Sequence, residues 1–381
     1  MRFFKNAKVI FPDKIRDCVV VTQDNTIIDI CDRFTPEQND TVTDCEGLYL
    51  SPGFIDIHVH GGGNKSAMSP NYEDIITMAE AHLKYGTTSI VPTTLTAPIP
   101  QLKEAVLSIK QASEKSKNAH ILGAHLEGPY ISLQYKGAQS PESILTPTNT
   151  PPEELLDLWD KILIMGAAPE CDGVLELGDK LKKRGIVASV AHSAASFEQI
   201  ETAVQHGFSD VTHIYNACSS CFKKGIFRYA GVVEAGLYMD ELTTQTIADL
   251  RHLPQGLLKL IYKCKGDDKM YLITDGLEFS ASDIKENTIY TQENGLSVIY
   301  EDNVMKLSDR SALAGSAATL SDCVRNMYKH IGIPLYSAVK MASLTPATVI
   351  GYHKQKGKIE KGFDADLILF DDNINIHSVT I

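Results

Sequence analysis

Six residues of this chain are of the types that hold a metal ion and carry protons: His58, His60, Glu127, His192, His213 and Asp275. His58 and His60 lie in the run Pro52-Gly53-Phe54-Ile55-Asp56-Ile57-His58-Val59-His60-Gly61, whose apolar part reads as a buried strand. Residues two apart in a strand point the same way, so both imidazoles leave one face, about 7 Å apart along the backbone. Gly61, Gly62 and Gly63 follow and let backbone and ligand approach closely. A bare His-x-His arises often by chance, and its weight here comes from the partners further along. Glu127, His192, His213 and Asp275 each close a run of strand length, and a further run, 244–249, reaches Asp249 and, beyond it, His252. Imidazole and carboxylate donors suit Zn²⁺ or Fe²⁺. His125 reads equally as a core histidine. His82, His120, His206, His330, His353 and His377 fall on helices, loops or the tail and read as structural or solvated.

These residues need a scaffold that gathers strand ends. Strand patterns recur at 54–60, 87–94, 121–127, 162–170, 186–192, 210–215, 244–249 and 270–275. Helical patterns lie between them, among them 72–85, 101–115 and 197–206, the last opened by a Ser196/Gln199 capping-box pair. Eight strands alternating with helices predict an α/β fold, a (β/α)₈ barrel spanning 53–350. In such a barrel the carboxyl ends of all strands share one mouth, so residues distant in sequence converge there. The competing doubly wound sheet lacks support, because neither G-x-G-x-x-G nor G-x-x-x-x-G-K-[ST] occurs at a helix start. Residues 1–52 read as short strands without helical period, at 7–11, 18–22, 26–31 and 48–50. Residues 351–381 return to strand character and are expected to rejoin them in a small β-sandwich domain.

The formal net charge of −12 over 381 residues argues against nucleic acid and anionic membrane as partners. No apolar run is long enough for a membrane span, and Met1-Arg2-Phe3-Phe4-Lys5-Asn6-Ala7-Lys8 lacks a signal-peptide core, so a cytoplasmic location is expected. The eight cysteines are then reduced thiols. Cys218-Ser219-Ser220-Cys221 has C-x-x-C spacing but no second pair, which makes a redox or zinc role a minor reading.

Several segments together resemble a known family: PGFIDIHVHG (52–61), HLEGPYIS (125–132), KGAQ (136–139), GAAPE (166–170), THIYNA (212–217), IADLRH (247–252), ITDG (273–276), LAGS (313–316) and GFDADLIL (362–369). They resemble the metal-dependent amidohydrolases, and within them the N-acetylglucosamine-6-phosphate deacetylases, over nearly the whole chain. The resemblance implies Glu127, His192 and His213 as principal metal ligands, and His58 and His60 as ligands of a second ion, giving one or two divalent ions (Zn or Fe). Asp275 matches the catalytic acid and base. Ala138, Gln139, Asn216, Ala217, His252, Leu313, Ala314 and Gly315 match substrate-contacting positions. Where the family carries an arginine that reaches a neighbouring subunit's sugar phosphate, this chain has Lys224, with Lys223 and Arg228 nearby. Leu250 stands where a glycine is usual, and Gln139 where some members place a histidine. The implied activity is hydrolysis of the acetamide of a small N-acetyl amino sugar phosphate by a homodimer. The alternatives are a deacetylase of the galactosamine isomer or of a non-phosphorylated sugar and, more remotely, a metal-free scaffold of the same fold.

Overall fold

The computed structural model describes residues 1–292 and 295–381. Its centre is a set of eight parallel strands, Phe54–Val59, Thr87–Thr94, Ala124–Glu127, Ile162–Ala167, Val187–Val190, Phe208–Val211, Thr243–Ile247 and Met270–Ile273, each beside the next in chain order. The seam between the last and the first has no ladder. It is closed by the Asp275 N–H donating to the His58 carbonyl at 3.0 Å and by a parallel bridge between Val59 and Gly276. The result is a nearly closed (β/α)₈ barrel.

Apart from the exposed Ser209 the strands are buried or nearly so along their length, as a parallel sheet covered by helices requires; all six residues of Phe54–Val59 and all eight of Thr87–Thr94 are buried. The helices lay apolar stripes against them. Tyr72–Leu83 buries Ile75, Met78 and Ala79 and is opened by the Asn71 side chain, which accepts from the Glu73 N–H. Ile99–Lys115 buries Leu102, Ala105, Val106 and Ile109. Phe197–Gln205 starts at the capping box of Ser196 and Gln199. Several strands stop short of the predicted ends, at Ala167, Val190, Val211, Ile247 and Ile273. The polar residues beyond them therefore stand on the first residues of the loops.

The chain's two ends meet in one seven-stranded sheet. Arg2–Ile10, Ile15–Gln23, Thr26–Cys31, Thr41–Asp44 and Tyr49–Pro52 are joined by Leu367–Phe370 and Ile376–Thr380. The Ile27 N–H donates to the Phe363 carbonyl at 2.8 Å, which ties the edge strand Thr26–Cys31 to the segment leading into Leu367–Phe370, and the sheet packs on its own core of Phe4, Val20, Ile27, Leu50, Leu367 and Leu369. Thr41–Asp44 was not expected as a strand, since its four residues hold a single apolar side chain. Tyr49–Pro52 passes directly into the first barrel strand through Gly53, where a Cβ would lie 2.1 Å from Thr88 Oγ1. Among the described residues three further sheets interrupt the barrel's loops: the short pair Gly61–Gly62 with Lys65–Ser66 after the first strand, the hairpin Phe222–Lys224 with Phe227–Tyr229 after the sixth, and Thr288–Thr291, Ser297–Glu301 and Val304–Leu307 after the eighth.

Candidate metal centre

Four histidines turn the same ring nitrogen towards one carboxylate. Carbonyl oxygens only accept, so a ring nitrogen facing one must carry its proton. His60 Nδ1 faces the Thr93 carbonyl at 3.1 Å, His192 Nδ1 the Tyr135 carbonyl at 2.8 Å, and His213 Nδ1 the Asn216 carbonyl at 3.2 Å. His58 Nδ1 donates instead to the Gln245 side-chain oxygen at 2.6 Å. The four Nε2 atoms are thereby left to face Glu127. Its Oε1 lies 2.9 Å from His213, 3.1 Å from His192 and 3.5 Å from His58, while Oε2 lies 3.4 Å from His60. Two donor groups result, His58/His60/Glu127 and Glu127/His192/His213, each with its donor atoms within 4.8 Å of one another, all buried, with Glu127 common to both.

Local backbone geometry aims these side chains. His192, His213 and Asp275 adopt left-handed φ of 46°, 27° and 48°, a conformation that side-chain-bearing residues seldom take and that surrounding structure must enforce. The loop after His192 is held by Glu170, which accepts from Ser193 Oγ at 2.7 Å and from the Ala194 N–H at 2.5 Å. Asp275 completes the cluster, its Oδ1 3.1 Å from His60 Nε2 and 3.5 Å from His58 Nε2. The barrel therefore brings together all six residues singled out by type.

The electrostatics call for a cation. Burial alone would keep Glu127 and Asp275 neutral, yet the charge of His192 and His58 holds the Glu127 carboxyl well below its ordinary range. The hydrogen bond from His60, and then the charge of His58, does the same for Asp275. Burial pushes His58 down to about 4, against the pull of Glu127 and Asp275. For His60 burial works in the same direction but is outweighed by Asp275 and Glu127, which raise it to about 10. Two ionised carboxylates, Glu127 buried and Asp275 largely so, demand positive charge between them. Four imidazole nitrogens and a carboxylate shared by two donor groups fit one or two divalent ions on the chemistry of the donors, an ion taking the place of the proton that His60 otherwise holds.

The remaining candidate residues are placed as follows. Gln139 is buried, its amide donating to Glu127 Oε2 at 2.6 Å and its oxygen accepting from the Thr96 N–H at 2.8 Å, whereas Ala138 beside it is exposed. Asn216 and Ala217 sit half-buried in the turn after His213, with Ala217 at φ 44°. His252 is paired with Asp249, Nδ1 to Oδ2 at 2.7 Å, and the other Asp249 oxygen accepts from the Arg251 and His252 N–H groups, so Asp249 caps its own loop and is no part of the cluster. Leu313 is exposed and Ala314 buried. Gly315 at φ 77° passes so close that a Cβ would lie 3.0 Å from the Asp275 carbonyl. Lys224 lies on the exposed hairpin and joins no hydrogen bond with the cluster among the described residues. His125, two before Glu127, is fully buried under His58, rings 4.7 Å apart, and donates Nδ1–H to the Ile57 carbonyl at 3.0 Å, so it belongs to the core below the site.

Sequence reasoning missed Gln245, Asp210 and Glu170. A signal for the first existed: Thr243–Ile247 reads Thr-Thr-Gln-Thr-Ile, four polar residues in a strand that is buried from Thr244 on. Polar side chains in a strand covered on both faces must find partners inside.

An amidohydrolase family model matches residues 49–381. The N-acetylglucosamine-6-phosphate deacetylase of Lysinibacillus sphaericus is 32% identical over 342 residues, covering 87% of this chain and 84% of that protein. The enzyme of the same name from Haemophilus influenzae is 32% identical over 372 residues, covering 96% of this chain and 93% of its own. The crystal structure of N-acetylglucosamine-6-phosphate deacetylase from Pasteurella multocida matches 100% of this chain and 98% of its own, with a TM-score of 0.91 at 30% identity.

Proposed function

The chain belongs to the amidohydrolase family, among its N-acetylglucosamine-6-phosphate deacetylases, and from that premise we propose how its own residues perform the reaction. The enzyme hydrolyses the acetamide of N-acetylglucosamine-6-phosphate to glucosamine-6-phosphate and acetate. The observation that carries the mechanism is the convergence of four Nε2 atoms on Glu127, each opposite an anchored Nδ1–H.

In our reading Glu127, His192 and His213 hold one divalent ion, zinc or iron, and His58 and His60 hold a second with Glu127 common to both. Bound there, a divalent ion supplies a Lewis acid that polarises the acetamide carbonyl and acidifies water. Asp275 is the proton carrier. Its carboxylate, held ionised by its neighbours, takes a proton from the attacking water and returns it to the sugar nitrogen as the C–N bond breaks, so that the amine leaves neutral. Gln139 fixes Glu127 Oε2. We assign substrate contacts to Ala138, Gln139, Asn216, Ala217, His252, Leu313, Ala314 and Gly315, around the same mouth.

We propose a homodimer in which the hairpin Phe222–Lys224/Phe227–Tyr229 reaches a neighbour's site and Lys224 meets the phosphate. Exposed Ile226 and Phe227 support this, being 87% and 65% accessible. We also propose the cytoplasm as the working compartment, which fits eight free cysteines. No helix among the described residues is long and apolar enough to cross a membrane.

Metal content and deacetylation of N-acetylglucosamine-6-phosphate, measured on wild type, His192→Ala and His58→Ala, test the assignment. His192→Ala is expected to lose tightly bound metal together with activity, and unchanged stoichiometry in that variant overturns the ligand set.

A further inference from the structure

Three of the four histidines are oriented by backbone carbonyls, and His58 alone depends on a side chain. A backbone carbonyl can only accept. A glutamine amide has two faces, and if its NH₂ were turned to His58 the ring would have to offer Nδ1 as acceptor and protonate Nε2. Something must therefore decide which face Gln245 shows.

That decision is made by Asp210. Gln245 Nε2 lies 2.8 Å from Asp210 Oδ2, and Ser189 Oγ lies 2.7 Å from the same oxygen. Thr243 Oγ1 at 2.6 Å and Tyr271 OH at 3.0 Å face Asp210 Oδ1. Three hydroxyls donate to this fully buried group, and as a carboxylate it has only acceptor sites left to present to Gln245. The amide NH₂ must point at Asp210, the amide oxygen must point at His58, and Nδ1 must hold the ring proton.

We propose that Gln245, locked by Asp210, is the positioning residue that sets the His58 tautomer and so decides whether the His58/His60 pair can hold an ion. The inference rests on the reading of that pair as metal ligands. Gln245 touches neither substrate nor reacting atoms. It acts through His58, and its replacement strikes one donor group while leaving Glu127, His192 and His213 with their own anchors.

Two measurements on the full chain test this. Zn²⁺ titration and metal analysis compare wild type, His58→Ala, Gln245→Leu and Gln245→Glu. Gln245→Leu is expected to weaken the second ion by about ten- to a hundred-fold, the usual consequence of losing the partner of a ligating histidine. It should keep the ion that His192→Ala removes. Gln245→Glu keeps an oxygen towards His58 and, sharing one proton with Asp210 as two abutting buried carboxyl groups do, still has a donor for it, so it should recover most of the loss. Two ions bound by Gln245→Leu with wild-type affinity overturn the proposal. Histidine ¹⁵N NMR of metal-free wild type provides the second test and requires no variant to fold. A His58 ring protonated at Nδ1 is expected, and one protonated at Nε2 overturns the proposal. If wild type holds a single ion that His58→Ala leaves in place, the reading of the pair as ligands fails, while the NMR result still decides what sets the tautomer.

Discussion

At the scale of single residues, the proposed mechanism divides labour between groups that must stay ionised and one, Asp275, that must exchange a proton. Asp275 contacts His60 at 3.1 Å and is the carboxylate of the cluster with some exposure, 14% for its side chain. Asp275→Asn keeps the shape and removes the basicity, so the variant should fold, retain metal and lose about 10²–10⁴-fold in kcat. Steady-state kinetics with metal analysis on the same sample checks this, and a kcat near wild type removes Asp275 from the role. Gln139 predicts a milder effect. Gln139→Ala frees Glu127 Oε2 from its 2.6 Å bond, and should weaken metal binding without abolishing it. The loss is expected to be near the roughly 1.5–3 kcal/mol of a hydrogen bond to a charged group, measured as a change in metal dissociation constant.

The hairpin after the sixth strand shows what an element adds to a list of residues. Its register pairs Phe222 with Tyr229, Lys223 with Arg228 and Lys224 with Phe227. Opposed residues of antiparallel strands share a face, so Lys223 and Arg228 form a cationic face, while Lys224 lies on the side where Phe222 and Tyr229 stack at 5.6 Å. If Lys224 meets the phosphate, Lys224→Ala raises KM for N-acetylglucosamine-6-phosphate about ten-fold or more, the size of a charge-assisted contact, and leaves N-acetylglucosamine unaffected. Lys223→Ala with Arg228→Ala should then change little. The opposite pattern in KM assigns the phosphate to the other face. Spacing along the chain could not reveal this register, whereas most barrel strands were legible because they are apolar runs bounded by turns. The donors His58, His60, Glu127, His192, His213 and Asp275 were legible for a related reason, since a residue able to ligate a metal stands out at the end of an apolar strand. The backbone carbonyls of Thr93, Tyr135 and Asn216 were not, because every residue has one and only the fold selects which it uses. The sheet of Thr288–Thr291, Ser297–Glu301 and Val304–Leu307 escaped as well, its strands being short and partly exposed.

For the molecule as a whole, we propose that 1–52 and 351–381 form one small β domain around the barrel 53–350. Asp366 clamps the two. It accepts from Lys356 Nζ at 2.6 Å and faces His120 Nε2 at 3.1 Å, while its carbonyl takes the Gly53 N–H. Burial opposes its charge, but His120 and Lys356 win and hold its pKa below the ordinary carboxylate value. A depressed folded-state pKa means that the unfolded chain binds the proton more readily. The stabilisation is therefore present above the unfolded value, about 3.9, and is lost as pH falls through the folded one. Asp366→Asn should cost about 3 kcal/mol at neutral pH, as for a broken buried pair, and the gap from wild type should narrow below about pH 4. Denaturant unfolding at the two pH values measures it. The seam of the barrel has a consequence of another kind. One of the amides that donate across it belongs to Asp275, so a molecule whose first and eighth strands have parted has also displaced the residue we propose as proton carrier. Under mild denaturant, deuterium should enter at Asp275 before it enters the ladders of the other strands, and turnover should fail at that stage, while the far-ultraviolet signal of the remaining barrel is still intact.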